Sequence, residues 1–252
     1  MELFYREMGA GKPLVIVHGL FGSGDNWQTL GKRYAEHFHV YLVDQRNHGH
    51  SAHAPEHSYE VMADDLLEFC EEHGLNNFHL LGHSMGGKTA MRFTSENGAM
   101  VDRLIVADIA PKPYGVHHRE LVDCLLGADL SVMTTRQEVE AHLERGIADS
   151  STRQFFLKNL YWKSPGQLAW RFNLEILSET LADISGDAGQ QICLNETLFI
   201  RGGKSNYVAD SDVEWLNHYF PHNRLVTIAD AGHWLHAESP DAFFDATLAF
   251  LS

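Results

Sequence analysis

The stretch Gly82-His83-Ser84-Met85-Gly86 determines how the rest of the chain is interpreted. It follows the apolar run at 77–81 and precedes a segment of helical composition at 87–93, so it lies at a turn from a strand to a helix. Glycines on both sides of a serine at such a turn leave room for the backbone, while the hydroxyl projects from the top of the sheet. The context predicts that Ser84 is a catalytic nucleophile, and the alternative is an ordinary glycine-rich turn.

The histidine that such a serine requires is expected after the last strand of the sheet. The segment Asp230-Ala231-Gly232-His233-Trp234 follows the strand-like run at 224–228, and its small residues allow an imidazole to reach the serine. The chain contains 17 histidines, so the order serine, acid, histidine along the sequence selects His233 as the general base. His236 is the alternative.

Three residues remain open as the carboxylate that would orient this histidine. Asp108 ends a predicted strand beside the one that leads to the serine, where it could hold the imidazole Nδ1–H. The loop after the penultimate strand has Ser205 where most proteins of this layout carry the acid, and Asp210 and Asp212 follow at a predicted helix start. We expect Asp108 to be the acid, with Asp210 or Asp212 as the alternative.

Apolar runs predict a parallel sheet that is interrupted by one insertion. The runs that indicate strands are 13–17, 40–43, 77–81, 101–107, 196–201 and 224–228. Between 112 and 190 this pattern is replaced by four amphipathic segments, near 117–128, 134–147, 151–162 and 169–184. The second segment opens with the capping box Thr135-x-x-Glu138. We therefore expect a core of residues 1–111 and 191–252 with a helical cap of residues 112–190.

The cysteines and clustered histidines do not predict a metal site. The cysteines are odd in number, lack a C-x-x-C spacing and are interpreted as reduced thiols: Cys70, Cys124 and Cys193. The clustered histidines, His48, His50 and His53, lie on one loop without a matching distant cluster. We expect no metal and no disulfide.

The composition excludes several classes of partner. The 252 residues include 34 acidic and 19 basic side chains, for a formal net charge of -15. Such a surface repels nucleic acid and anionic membranes. The sequence has no apolar run of about 18 residues and no secretory signal pattern at its start. We expect a cytoplasmic protein without nucleic-acid binding or membrane insertion.

These residues together resemble the α/β-hydrolase fold family over essentially the whole chain. The matching pieces are His18-Gly19, the pattern Asp44-x-Arg46-x-x-Gly49-x-Ser51, the turn at 82–86, and Gly232-His233. The combination of the sequence segments at 107–111 and 201–205 resembles the YbfF-type esterase branch. The resemblance implies a mostly parallel sheet flanked by helices, with a helical cap inserted after the sixth strand and an acid on that strand, matching Asp108. It further implies hydrolysis of small esters or acyl thioesters without a cofactor.

The mechanism that we predict is two-step acyl transfer to water. His233 removes the proton of Ser84, the serine attacks the carbonyl, and the backbone N–H groups of Leu20 and Met85 hold the oxyanion. A serine at this position argues against the epoxide hydrolase and dehalogenase branches, which require a carboxylate there. The alternatives are a C–C bond hydrolase or lyase of the same fold and a catalytically inactive ligand-binding protein. The sequence indicates neither the natural substrate nor the oligomeric state.

Overall fold

The computed structural model describes residues 1–115, 118–189 and 191–252. The strands are β1 (Tyr5–Met8), β2 (Pro13–Val17), β3 (His39–Val43), β4 (Phe78–His83), β5 (Val101–Ala107), β6 (Leu160–Ser164), β7 (Gln167–Trp170), β8 (Glu196–Gly202) and β9 (Asn223–Ile228). The helices are α1 (Gln28–Tyr34), α2 (Tyr59–Glu72), α3 (Met85–Asn97), α4 (Arg119–Leu126), α5 (Arg136–Leu143), α6 (Ser150–Lys158), α7 (Leu174–Glu179), α8 (Leu181–Ser185), α9 (Val213–Tyr219), α10 (Leu235–Glu238) and α11 (Pro240–Leu251). Short 3₁₀ helices lie at Gly24–Trp27, Gly98–Met100 and Asp210–Asp212.

The main sheet has seven strands in the order β1-β3-β2-β4-β5-β8-β9. β1 is antiparallel to β3, and the other neighbouring pairs are parallel. Strands buried on both faces of a parallel sheet are apolar throughout, which is why β2 and β4 read as nearly continuous apolar runs. The prediction of a mostly parallel sheet flanked by helices is confirmed.

Helices cover both faces of this sheet. On one face, Phe69 of α2 packs in the same apolar cluster as Leu80 of β4. On the other face, Tyr34 of α1 and Phe243 of α11 share a cluster with Leu81, the next residue of β4. Successive strand residues point to opposite faces, so one strand supplies both layers of the core.

The carboxyl ends of the central strands meet at one edge of the sheet. The loop after β2 contains Leu20, Ser84 follows β4, Asp108 follows β5 and His233 follows β9. Ligands of open parallel sheets bind outside this edge. The topology therefore brings the predicted site residues to one place.

The segment between β5 and β8 is not wholly helical as predicted. It carries α4 to α8 and a separate antiparallel hairpin, β6 paired with β7. The expectation of helix over 151–162 and 169–184 is wrong at 159–162 and 169–173, because α6 ends at Lys158 and α7 begins at Leu174. Pro165-Gly166 forms the turn, with Gly166 at φ 78°. The proline cannot continue a helix, and the aromatic residues on both sides favour strands.

The other two predicted segments each contain a helix. α4 lies within 117–128, whose first residue, His117, is outside the described residues. α5 lies within 134–147 and begins after Thr135, whose hydroxyl accepts a hydrogen bond from the Glu138 N–H. The capping box therefore marks this helix start correctly.

The insertion follows the fifth strand in chain order, β5, and not a sixth as the resemblance implied. Its helices and hairpin share one apolar cluster with residues beside the sheet edge, in which Phe156 and Leu177 pack together with Phe21 and Met85. In the part of the chain that the structure describes, no helix has the length and apolar character needed to cross a membrane.

Candidate active site

Ser84 occupies a strained backbone position between β4 and α3. Its dihedral angles are φ 53° and ψ -120°, a conformation that residues other than glycine rarely adopt. The Ser84 N–H donates to the Ala107 carbonyl at 3.0 Å. A Cβ atom at Gly82 would lie 2.2 Å from the Gly86 carbonyl oxygen, so this turn requires glycine there. The flanking glycines of the sequence motif thus permit the conformation that presents the hydroxyl.

His233 lies between the serine and a buried carboxylate. Its Nε2 is 3.0 Å from Ser84 Oγ, and its Nδ1 is 2.7 Å from Asp108 Oδ2. A carboxylate only accepts hydrogen bonds, so Nδ1 carries the proton and donates to Asp108. Nε2 is then the acceptor that faces the serine hydroxyl. This tautomer is the one that a general base for Ser84 needs.

Asp108 is completely buried and accepts hydrogen bonds from three directions. Its φ is 51°, which turns the chain away from β5. Oδ1 accepts from the Gly202 N–H at 3.0 Å, and Oδ2 accepts from the Ser205 hydroxyl as well as from His233. Sequence reasoning noted Ser205 only as a departure from the common pattern. The structure shows that its hydroxyl supports the carboxylate on the neighbouring strand.

The alternative residues have other partners. Asp210 pairs with Arg201 at 2.7 Å and its side chain is 90% exposed, while Asp212 pairs with Lys112 at 2.6 Å. His236 is buried and stacks on Trp27 with ring centroids 4.3 Å apart. Asp108 is therefore the carboxylate, and His233 the imidazole, that the structure brings to the serine.

Two further side chains that sequence reasoning missed hold His233 in place. The His83 ring donates from Nε2 to the His233 carbonyl at 2.9 Å. Burial lowers the pKa of His83 well below its ordinary value, so the ring is neutral. The Tyr207 ring stacks on the His233 ring with centroids 4.0 Å apart. Both the backbone and the ring of His233 are thus restrained.

The turn after β2 contains the first candidate oxyanion donor, the Leu20 N–H. The Gly22 N–H donates to the Gly19 carbonyl at 3.0 Å, and Phe21 has φ 60°, which defines a turn with Leu20 at its second position. The Phe21 N–H donates to His48 Nε2 at 3.0 Å, and the Phe21 carbonyl accepts from Asn159 at 3.0 Å. Within the described residues, the Leu20 N–H has no such acceptor.

The Met85 N–H is the second candidate donor, because it begins α3 and the first amides of a helix have no acceptor within it. In the described part of the chain it has no other acceptor either. The Leu20 and Met85 amides are both backbone groups beside Ser84 and at the edge where it projects. Leu20, Ser84 and Met85 line one cleft, so these two amides are the candidate donors for an oxyanion.

His18 and His48 support the loops at this edge of the sheet through hydrogen bonds of both ring nitrogens. His48 donates from Nδ1 to the Arg46 carbonyl while Nε2 accepts from Phe21. His18 accepts at Nε2 from the Gln45 N–H at 3.0 Å. Burial lowers the pKa of both rings, so both remain neutral and keep one nitrogen free to accept.

An open cleft adjoins the serine. Leu20, Ser84 and Met85 line it from the sheet edge, and Leu181 and Ile184 line it from α8. Lys88 of α3 also lines the cleft, and burial lowers the pKa of its ammonium to about 8. The cleft is mainly apolar, with a few polar groups near the nucleophile.

Comparison with known proteins agrees with this geometry. The model of the alpha/beta hydrolase fold matches residues 12–135. The chain is 36% identical to the esterase YbfF of Escherichia coli over 95% of this chain and 93% of that protein. It belongs to the α/β-hydrolase fold family. Within that family it lies in the branch that includes YbfF.

Other members of the α/β-hydrolase family are similar over most of their length. The sn-1-specific diacylglycerol lipase ABHD11 of Mus musculus is 36% identical, over 95% of this chain and 80% of that protein. A solved structure described as a marine microorganism esterase is 42% identical, covers 99% of each chain and has a TM-score of 0.97. The matched family model includes Leu20, Ser84 and Asp108 but ends before His233. The similarity to the full-length relatives extends across that region.

Proposed function

We propose that this α/β-hydrolase is a serine hydrolase that cleaves small carboxylic esters or acyl thioesters through an acyl-enzyme. The observation that carries the proposal is the continuous hydrogen-bonded row from Ser84 through His233 to Asp108 beside the cleft. Relatives named as esterases and lipases support ester cleavage as the reaction class.

The first half of the reaction forms the acyl-enzyme. His233 takes the Ser84 proton at Nε2 as the hydroxyl oxygen attacks the substrate carbonyl carbon. The carbonyl oxygen becomes an oxyanion held by the Leu20 and Met85 N–H groups. Asp108 stabilises the imidazolium that forms. His233 then returns the proton to the departing alcohol or thiol as the bond between it and the acyl carbon breaks.

The second half releases the acid by the same chemistry. A water molecule takes the place of the departed group, His233 removes its proton, and the oxygen attacks the acyl carbon. The same N–H groups hold the second oxyanion, and Ser84 leaves with the proton from His233.

The arrangement of the chain around this site is also proposed. Residues 1–111 and 191–252 would form the hydrolase core, and residues 112–190 a cap that shapes the cleft. The packing of Phe156 and Leu177 of the inserted segment over Phe21 and Met85, and the position of Leu181 and Ile184 in the cleft lining, support this division. The cytoplasmic location expected from the sequence stays a prediction.

The proposal is tested with p-nitrophenyl butyrate and a fluorophosphonate probe. Ser84→Ala and His233→Ala are each expected to lower kcat by several orders of magnitude, and the double variant by little more, because both changes disable one step. Fluorophosphonate labelling should occur in the wild type and disappear in Ser84→Ala. His37→Ala, at an exposed position, is the control and should match the wild type.

Two outcomes would contradict the proposal. Losses that multiply in the double variant would show that the serine and the histidine act independently. A folded wild-type protein that neither hydrolyses the ester nor takes the label would instead be a ligand-binding protein of this fold.

A further inference from the structure

Lys88 is a buried cation close to the nucleophile with no role in the mechanism above. It lies on α3, its backbone N–H donates to the Ser84 carbonyl at 3.1 Å, and the residue is 1% exposed. Both residues line the same cleft.

The hydrogen-bond partner of Lys88 is neutral. Its Nζ donates to the Gly186 carbonyl and lies 4.7 Å from the Tyr114 ring centroid and 5.6 Å from that of Tyr59. Among residues 1–115, 118–189 and 191–252, it forms no ion pair. Lys112 differs, because its ammonium is held by both carboxylate oxygens of Asp212 at 2.7 and 2.6 Å.

The charges around Lys88 do not compensate for its burial. Asp187 attracts the ammonium and Lys112 repels it, but loss of hydration is the largest influence and lowers the pKa of Lys88 to about 8. The tyrosines that face it, Tyr59 and Tyr114, have pKa values raised by burial and stay neutral. At neutral pH the ammonium is mostly protonated in a site that disfavours charge. A carboxylate brought into the cleft would relieve this penalty.

We propose that Lys88 selects substrates whose acyl group carries a second carboxylate, so that the preferred substrates are monoesters or monothioesters of short dicarboxylic acids. This inference rests on the proposed function of Ser84. Because Lys88 and Ser84 line the same cleft, an acyl group that reacts at Ser84 can extend a second carboxylate toward the ammonium. The acidic surface of the protein repels such substrates in general, so the recognition is local to the cleft.

A purely structural role is the competing interpretation. The bond to Gly186 joins α3 to the segment after α8, and Lys88 could serve only to fix that segment. Loss of that bond would affect neutral and anionic substrates alike. The two interpretations therefore predict different ratios of activity on anionic substrates to activity on neutral substrates when Lys88 is replaced.

The experiment compares mono-p-nitrophenyl glutarate with p-nitrophenyl pentanoate, which has a methyl group in place of the carboxylate. In Lys88→Met, kcat/KM for the glutarate ester should fall roughly 30-fold or more relative to that for the pentanoate ester, the usual loss when one partner of a buried charge pair is truncated. Lys88→Arg should retain most of the preference. Lys112→Met removes an equal charge nearby and should leave the ratio unchanged.

A binding measurement separates this inference from the proposed function. Ser84→Ala should bind monomethyl glutarate more tightly than methyl pentanoate by calorimetry, and the double variant Ser84→Ala with Lys88→Met should lose that difference. If the wild type hydrolyses no ester yet Ser84→Ala shows this Lys88-dependent binding, the proposed function fails and the anion site stands. The inference is overturned if Lys88→Met leaves the ratio of kcat/KM for the glutarate ester to that for the pentanoate ester unchanged, which includes an equal loss for both esters. It is also overturned if the difference in binding is the same with and without Lys88.

Discussion

Replacing Asp108 by asparagine is expected to abolish most activity while changing the shape of the site very little. Asp108 is fully buried, and its two oxygens accept from the Gly202 N–H, the Ser205 hydroxyl and His233 Nδ1–H. Asparagine has the same size but offers one oxygen and one NH₂ group. The consequence depends on which of these faces His233.

Only one orientation of the new amide satisfies all its neighbours. With its oxygen toward His233, its NH₂ group faces the Gly202 N–H, and two donors oppose each other in a buried site. With its oxygen toward Gly202, the NH₂ group faces His233 Nδ1, and the Ser205 hydroxyl can turn to accept a hydrogen bond. His233 must then carry its proton on Nε2. That tautomer cannot accept the proton of Ser84, and the same kind of change in a serine protease lowers kcat about four orders of magnitude.

The assay is kcat with p-nitrophenyl butyrate, with thermal unfolding as the check that the variant is folded. Asp210→Asn is the matched control, because its exposed ion pair with Arg201 is worth only about 0.2–1 kcal/mol. Its kcat should stay near that of the wild type. The reasoning is refuted if Asp108→Asn keeps more than about a tenth of wild-type kcat.

Three further predictions address the surrounding groups. Leu20→Pro removes one proposed oxyanion donor at a turn position that suits proline, so kcat should fall about 100-fold or more. Leu20→Ala keeps the N–H and should have a near-normal kcat. A near-normal kcat in a folded Leu20→Pro protein would exclude this N–H as a donor. Ser205→Ala removes a hydroxyl donor to Asp108 and should lower kcat about tenfold, and an unchanged kcat would show that the hydroxyl does not orient the acid. Burial lowers the pKa of Lys88 from 10.5 to about 8, so the unfolded chain binds more protons between these values and the free energy of unfolding should rise with pH across that window. Relative to that of Lys88→Met, the free energy of unfolding of the wild type should rise by about 3 kcal/mol between pH 8 and 10.5, as measured by urea unfolding. The absence of this rise would show that the lysine is not desolvated.

The sequence predicts those parts of the structure that follow from local pattern. Strands buried on both faces are apolar along their length, and glycines on both sides of a serine at a strand end permit the turn that presents its hydroxyl. The fold and the placement of Ser84, Asp108 and His233 along one sheet edge follow from these patterns. Their catalytic roles stay predictions.

The remaining features depend on contacts between distant parts of the chain. Ser205 supports Asp108 across 97 positions of sequence, and His83 holds the His233 carbonyl across 150. No local pattern records such pairs, although the missing carboxylate at Ser205 was a signal that another strand supplies it. The hairpin at Leu160–Trp170 was missed for a different reason. Its strands overlap the ends of the amphipathic segments at 151–162 and 169–184, and the Pro165-Gly166 turn signal lies between these segments.

The most direct test of the central claim is to trap the acyl-enzyme. Wild-type protein is mixed with p-nitrophenyl butyrate, quenched in acid within the first turnover and digested for mass spectrometry. We predict a burst of p-nitrophenol that matches the enzyme concentration, with one butyryl group on the peptide containing Ser84. Catalytic turnover with no butyrylated Ser84 peptide at any quench time, or with the acyl group on another residue, would contradict the account.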